Sequence, residues 1–135
     1  MIASGNSSIT ALFGSTGAGN HAVAACRAAL AAKSAIETQS AGIVRVRAGM
    51  DSGEAIVRHR RHGTSERIEV TGAAVRTATR LVHALRRGVL ALTGRTQAAA
   101  AGLIATGFLP RSDYPRIHRD EQVHELLGEK RPDTA

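Results

Sequence analysis

Aromatic side chains are nearly missing from this chain, which has one Tyr, two Phe and no Trp in 135 residues. Without rings to stack on, recognition of unpaired bases by aromatic platforms is disfavoured, and nucleic acid is not an expected partner. The lone cysteine, Cys26, rules out a disulfide framework. It lies in an alanine-rich helical pattern, where it packs as a small hydrophobe. That usage suits a reducing compartment, and the expected location is the cytoplasm. No apolar run has the length of a membrane span, and the N-terminus lacks the basic-then-apolar order of a secretion signal. Acidic residues are also short, 11 Asp and Glu against 18 Lys and Arg, a formal charge of +7. An excess of this sign, mostly arginine, suggests affinity for anions such as nucleotides, RNA or acidic protein surfaces.

The length is that of one domain, expected over 1–128 with a polar, frayed tail over 129–135. Ile9 to Phe13 reads as a strand ended by Gly14. From Asn20, a plausible N-cap, Val23, Cys26, Leu30, Lys33 and Glu37 trace one helical stripe beside Ala22, Ala25, Ala29 and Ile36, out to Gln39 with Gly42 as the stop. Ile43 to Met50 and Ala55 to Val57 read as two strands, joined as a tight hairpin through Asp51-Ser52-Gly53-Glu54. Arg58 to Gly63 is too polar for a core, so it forms the solvated end of the second strand and its turn. A third short strand covers Glu66 to Val70.

Ala74, Ala78, Leu81 and Leu85 then recur at helical spacing up to Gly88. Val89 to Leu92 is a buried strand, Thr93 to Ala101 a short helix before Gly102, and Leu103 to Leu109 and Glu121 to Leu127 the last strands around a Pro-containing connection. The expected class is α/β (α+β), with a ferredoxin-like, largely antiparallel sheet and helices packed on it.

Two blocks carry more information than the pattern. Val46-Arg-Ala-Gly-Met-Asp-Ser-Gly-Glu54 and Glu69-Val-Thr-Gly-Ala-Ala-Val-Arg-Thr-Ala-Thr-Arg-Leu81 resemble the strand, hairpin and helix of class III adenylate/guanylate cyclase domains. Arg47, Gly49, Ser52, Gly53, Glu54, Gly72, Val75, Ala78, Arg80 and Leu81 fall in register with that family's pattern. Ala11 to Gly14, His21 to Leu30, Gly88 to Thr93 and Val123 to Leu126 are weaker matches in the right order. The resemblance implies a nucleotide cyclase-like fold lacking the family's opening strand, which would precede Met1.

The family converts ATP to cyclic AMP and pyrophosphate with two divalent cations held by two Asp residues. The resemblance places the first Asp before Met1 and the second at Ser7, a neutral hydroxyl unsuited to clamping a metal. Glu69 occupies the substrate-reading position and Arg76 the transition-state Asn position. Arg80 matches the transition-state Arg, and Arg116 is the cation nearest the family's late Lys. Loss of one preorganised donor costs about a hundred- to thousandfold in rate, and several are replaced here. The expectation is a domain without activity of its own and without a metal or cofactor. It would act in regulation or dimerisation, as a homodimer or a heterodimer with another cyclase-like domain, with a nucleotide as possible ligand. The alternatives are a subunit completed by a partner that supplies the Asp pair, using Mg²⁺ or Mn²⁺ with ATP, and a basic anion- or RNA-binding domain.

Other clusters have ordinary readings beside functional ones. Arg76, Arg80, His83 and Arg87 form a basic stripe that either grips a nucleotide or is a solvated face. Glu69 either accepts from a base edge or balances Arg67. Asp51 and Glu54, the close carboxylate pair, suggest a metal or acid/base site, but Asp51 is expected to stabilise the turn and Glu54 to pair with an Arg. His59-Arg60-Arg61-His62 is a point-charge patch for phosphate or RNA. The glycine-rich 14–20 lacks the Lys of a P-loop and reads as a connection. His21, His118 and His124 are too dispersed for a metal site.

Overall fold

A computed structural model of the chain describes residues 2–4, 8–14, 20–114, 117 and 120–130. Its centre is a four-stranded sheet of β3 (Ala48–Met50), β6 (Leu90–Thr93), β8 (Val123–Glu129) and β7 (Ile104–Phe108), in that order. β3 runs parallel to β6, and the other two neighbours are antiparallel. Two ribbons stand apart from it: β1 (Ile2–Ser4) with β2 (Ile9–Ala11), and β4 (Ile56–His62) with β5 (Ser65–Thr71). The mixed α/β class with a largely antiparallel sheet and helices packed on it is as expected.

Strand alternation separates two cores. On one face Met50, Leu90, Leu92, Ile104 and Leu126 meet Ala22, Val23 and Cys26 of helix α1 (His21–Gln39), with Ala100 closing the end of α3 (Gly94–Ala99). On the other, Ala91 and Val123 meet Leu81 and Leu85 at the end of helix α2 (Ala73–Ala84), together with Leu109, Tyr114 and Ile117 from the irregular connection. Fully burying one such leucine contributes about 1.5–3 kcal/mol, so these contacts decide where each helix sits. Burial also pushes the Cys26 thiol up to about 11, in keeping with a packing role.

Helix α1 starts as read, with the Asn20 side chain accepting from the Val23 amide at 3.0 Å. The same side chain donates to the Ala99 carbonyl at 2.8 Å and so ties α1 to α3. Ile36, on the stripe of Ala22, Ala25 and Ala29, is 42% exposed, well past the turns whose Ala22, Val23 and Cys26 are buried.

The strand expected from Ile43 is confined to Ala48–Met50, and Ile43 and Val44 are exposed. Side chains at the end of α1, Glu37 and the C-cap Ser40, capture this stretch instead. Ser40 Oγ accepts from the Val44 amide at 3.0 Å, and Glu37 accepts from the Val46 amide at 2.9 Å. Glu37 also accepts from Lys33 at 2.9 Å and lies 3.3 Å from Arg45. The Val46 amide first, then Lys33 and Arg45, hold its carboxyl down at about 2.

A depressed carboxylate stabilises the fold fully above its ordinary value, about 4.5, and that contribution disappears as pH falls toward about 2. The Val46 amide resonance, followed by NMR in acid, is therefore expected to titrate with a midpoint near 2 and to lose that transition in Glu37→Gln. A midpoint at the ordinary carboxylate value would show the cluster does not hold in solution.

The hairpin expected through Asp51-Ser52-Gly53-Glu54 does not form. β3 pairs with β6, and β4 pairs with β5 across a two-residue turn between His62 and Ser65, where Gly63 takes the positive φ of +60° that short hairpins need. The reason lies in Asp51, whose carboxylate turns inward to the end of β6.

Candidate functional site

Asp51 directly follows β3, and its side chain is only 1% exposed. Thr93 Oγ at the end of β6 donates to Oδ1 at 2.6 Å, and Arg95 donates from Nε to Oδ1 at 3.2 Å and from Nη2 to Oδ2 at 2.9 Å. Arg95 also pairs with Glu121 at 3.0 Å. The Asp51 hydrogen bond leads the causes that raise the Arg95 pKa. Beside it, Ser52 and Thr96 hydroxyls are 2.8 Å apart. Asp51 thus joins β3, β6 and α3, a wider role than the expected turn stabiliser. Glu54, expected to pair with an arginine, is exposed and has no ion pair among the described residues.

Helix α2 is placed against β3 by two contacts. Gly49 lets the helix backbone approach so closely that an added Cβ would lie 2.6 Å from the Ala78 carbonyl oxygen and 2.9 Å from the Val82 nitrogen. Arg47 donates to the Leu85 carbonyl at 2.8 Å, closing the helix C-terminus. These contacts give physical roles to the Arg and Gly of the Arg47-Ala48-Gly49 motif. The motif was visible in the sequence, but its partners are distant in the chain.

With its apolar side fixed to the sheet, α2 turns Arg76 and Arg80 outward, one turn apart, with His83 exposed beyond them. None of their side chains has an ion-pair or hydrogen-bond partner among the described residues. Arg87 is exposed too, but it lies past the helix end at Ala84. The helix itself therefore carries Arg76, Arg80 and His83 of the expected basic stripe, and Arg87 falls outside it. Glu69 is not free, since it lies on β5 and pairs with Arg60 at 3.3 Å. The cation it balances is Arg60 on β4, because Arg67 shares its own strand and faces Arg60.

A pair of hard cations needs converging anionic oxygens. Among the described residues no group of three His, Cys, Asp or Glu comes together. The Asp51 carboxylate, 1% exposed, is already filled by a guanidinium and a hydroxyl, so a cation at that place would have to displace Arg95. The described residues do not fit a two-metal centre. Ser7, Arg116 and His118 lie outside the described residues, as do 15–19 of the glycine-rich segment. His124 is half-buried with its Nε2 unpaired, and among the described residues it belongs to no group of three His, Cys, Asp or Glu. No helix among the described residues is long and apolar enough to cross a membrane.

Solved structures similar to this chain are nucleotide cyclases. The adenylyl cyclase CyaB from P. aeruginosa aligns with a TM-score of 0.69 at 21% identity, over 88% of this chain and 66% of that one. The guanylate cyclase domain of RhGC from Catenaria anguillulae, solved in complex with GTP, aligns with a TM-score of 0.65 at 19% identity, over 84% of this chain and 63% of that one. The chain thus spans just under two thirds of the length of each. No protein-family model and no curated protein matches the sequence. The fold is that of a class III adenylyl/guanylate cyclase catalytic domain.

Proposed function

We propose that this chain is a cyclase-like domain that does not form cyclic nucleotide by itself and serves as a regulatory or dimerisation module. In this reading the free face of α2 takes an anionic ligand of the nucleoside triphosphate class, with Arg80 as the principal contact and Arg76 beside it. One observation carries the proposal: on a cyclase fold, Arg76 and Arg80 stand exposed and unpaired, while the described carboxylates are scattered or already engaged. An arginine fork is suited to phosphate, and the helix presents two of them a turn apart. Glu69, tied to Arg60, would have to leave that pair to read a base.

The test is an assay of the purified chain with ATP or GTP and Mn²⁺, beside binding of a fluorescent triphosphate. No cyclic product is expected. Arg80→Ala should weaken triphosphate binding by about tenfold, the effect of losing one charge-assisted contact at an accessible site. Product from the isolated chain would end the inactive reading, and unchanged affinity in Arg80→Ala would remove the α2 site.

A second reading is favoured by the same exposed Arg80, which is available to an adjoining subunit. Here the chain completes a site whose Asp pair, and therefore Mg²⁺ or Mn²⁺ with ATP, belongs to a partner. Cyclic product on mixing with such a partner, lost in Arg80→Ala, would select it.

A further inference from the structure

The ribbon of β4 and β5 forms its own two-stranded sheet and is exposed from Arg58 through Arg67. Strands of this length extend about 24 Å at 3.4 Å per residue. Alternation and register place Arg58, Arg60 and His62 on one face, opposite Glu69, Arg67 and Ser65. The other face carries Val57, His59 and Arg61 opposite Val70, Ile68 and Glu66.

The first face has a charge problem. Arg60 and Arg67 are directly opposite each other, a destabilising placement for like charges unless an anion lies between them. Its one acid, Glu69, is taken by Arg60 at 3.3 Å. Arg58 and Arg67 have no ion-pair partner among the described residues.

We infer that this face of the ribbon is a binding surface for the phosphate backbone of double-stranded nucleic acid. The major groove, about 12 Å wide, admits a two-stranded ribbon. Arginines two residues apart on a strand are about 6.8 Å apart, twice the roughly 3.4 Å axial spacing of phosphates along one strand of a duplex. The shortage of aromatic residues, which counts against unpaired bases, has no bearing on a backbone held by guanidinium groups. Beyond Ile56 at its base the face offers no apolar anchor of the kind that dominates protein–protein contacts, so an acidic protein is the poorer occupant. Its arginines are separate from those of the free α2 face, and apart from Glu69 the surface shares no residue with the triphosphate reading.

The experiment is fluorescence anisotropy with a labelled DNA duplex of about 20 base pairs, from about 50 to about 200 mM salt. With Arg58 and Arg67 each on a phosphate and Arg60 leaving Glu69 for a third, the log–log salt slope should be about −2.7, an affinity loss of about 40-fold over that range. The Arg58→Ala/Arg67→Ala double variant should have a slope of about −0.9 and lose only about 3.5-fold. The Arg76→Ala/Arg80→Ala variant, altered on α2, should keep the original slope. The inference fails if no duplex binds at the lowest salt, if both double variants lose the same amount, or if a single strand of equal length binds as tightly. It also fails if poly-glutamate competes as well as duplex at equal charge, which would assign the face to an acidic protein. Melting curves unchanged by the ribbon substitutions would show that binding, not folding, was altered.

Discussion

Replacing Arg95 with alanine is expected to destabilise the domain by about 3 kcal/mol, the low end of the range for breaking a buried ion pair. The asymmetry of the pair sets this magnitude. Arg95 is 52% exposed, whereas the Asp51 side chain is 1% exposed, so deleting the arginine leaves a carboxylate in the interior with Thr93 as its remaining strong donor. Water can enter the space left by a half-exposed side chain, which keeps the cost from rising further.

The converse change, Asp51→Asn, leaves a neutral group that still accepts from Thr93 and leaves Arg95 paired with Glu121. It should cost about 1 kcal/mol, the net worth of an ordinary hydrogen bond. For a domain of this size the Arg95→Ala loss corresponds to roughly 10 °C in melting temperature. Urea unfolding of the two single variants and the double variant gives the coupling directly. A cost for Arg95→Ala below about 0.5 kcal/mol, the level of an ordinary surface substitution, would mean that the Asp51 network does not hold the end of β3.

Asp51 also shows where reading the sequence stopped short. The helices were legible because their signals are local: the Asn20 cap and the offsets of Leu81 and Leu85 each involve residues within a turn or two. The exposed course of β4 was legible as well, since a run from Arg58 to His62 has no apolar face to bury. Strand partners were not. A short glycine-containing link between two apolar runs has the composition of a hairpin, and local chemistry favours that reading. What overrides it is a set of contacts from residues about forty positions away, Thr93 and Arg95, which draw Asp51 toward the parallel neighbour β6. The available sign was an acidic residue directly after an apolar strand, together with a threonine ending another.

For the candidate site the division is similar. That Arg76 and Arg80 share an exposed face follows from a spacing of four on a helix whose opposite side is apolar. That Glu69 is engaged depends on the register of β4 on β5, which sets it diagonally from Arg60. The motif Arg47-Ala48-Gly49 was recognised by resemblance, but only the packing shows what it does, with the arginine holding Leu85 and the glycine admitting the helix.

Gly49→Ala is expected to cost about 2–3 kcal/mol and to disturb the α2 face without touching it. The added methyl would meet the Ala78 carbonyl oxygen at 2.6 Å, the Val82 nitrogen at 2.9 Å and Leu81 Cβ at 3.1 Å. Two of these are backbone atoms of a helix, which cannot turn aside as a side chain can, so α2 must shift away from the sheet. That shift opens the packing of Leu81 and Leu85 against Ala91 and Val123. Overpacking of this kind costs about 1–3 kcal/mol, and the rigidity of the obstacle puts this site at the upper end.

Gly107→Ala is the control, because the nearest atom to its added methyl is Leu127 Cδ1 at 3.0 Å, the end of a side chain that is 59% exposed. There the leucine can rotate, and removing a flexible glycine from a strand offsets the cost by about 0.5–1 kcal/mol, leaving a change near zero. Denaturant midpoints of the two variants should therefore differ by more than the uncertainty of either. If α2 binds triphosphate as proposed, Gly49→Ala should also weaken that binding while Gly107→Ala leaves it intact, since Arg76 and Arg80 move with their helix. Equal stability of the two variants would mean that β3 and α2 do not approach as closely as 2.6 Å requires, and the placement of the arginines would fall with that contact.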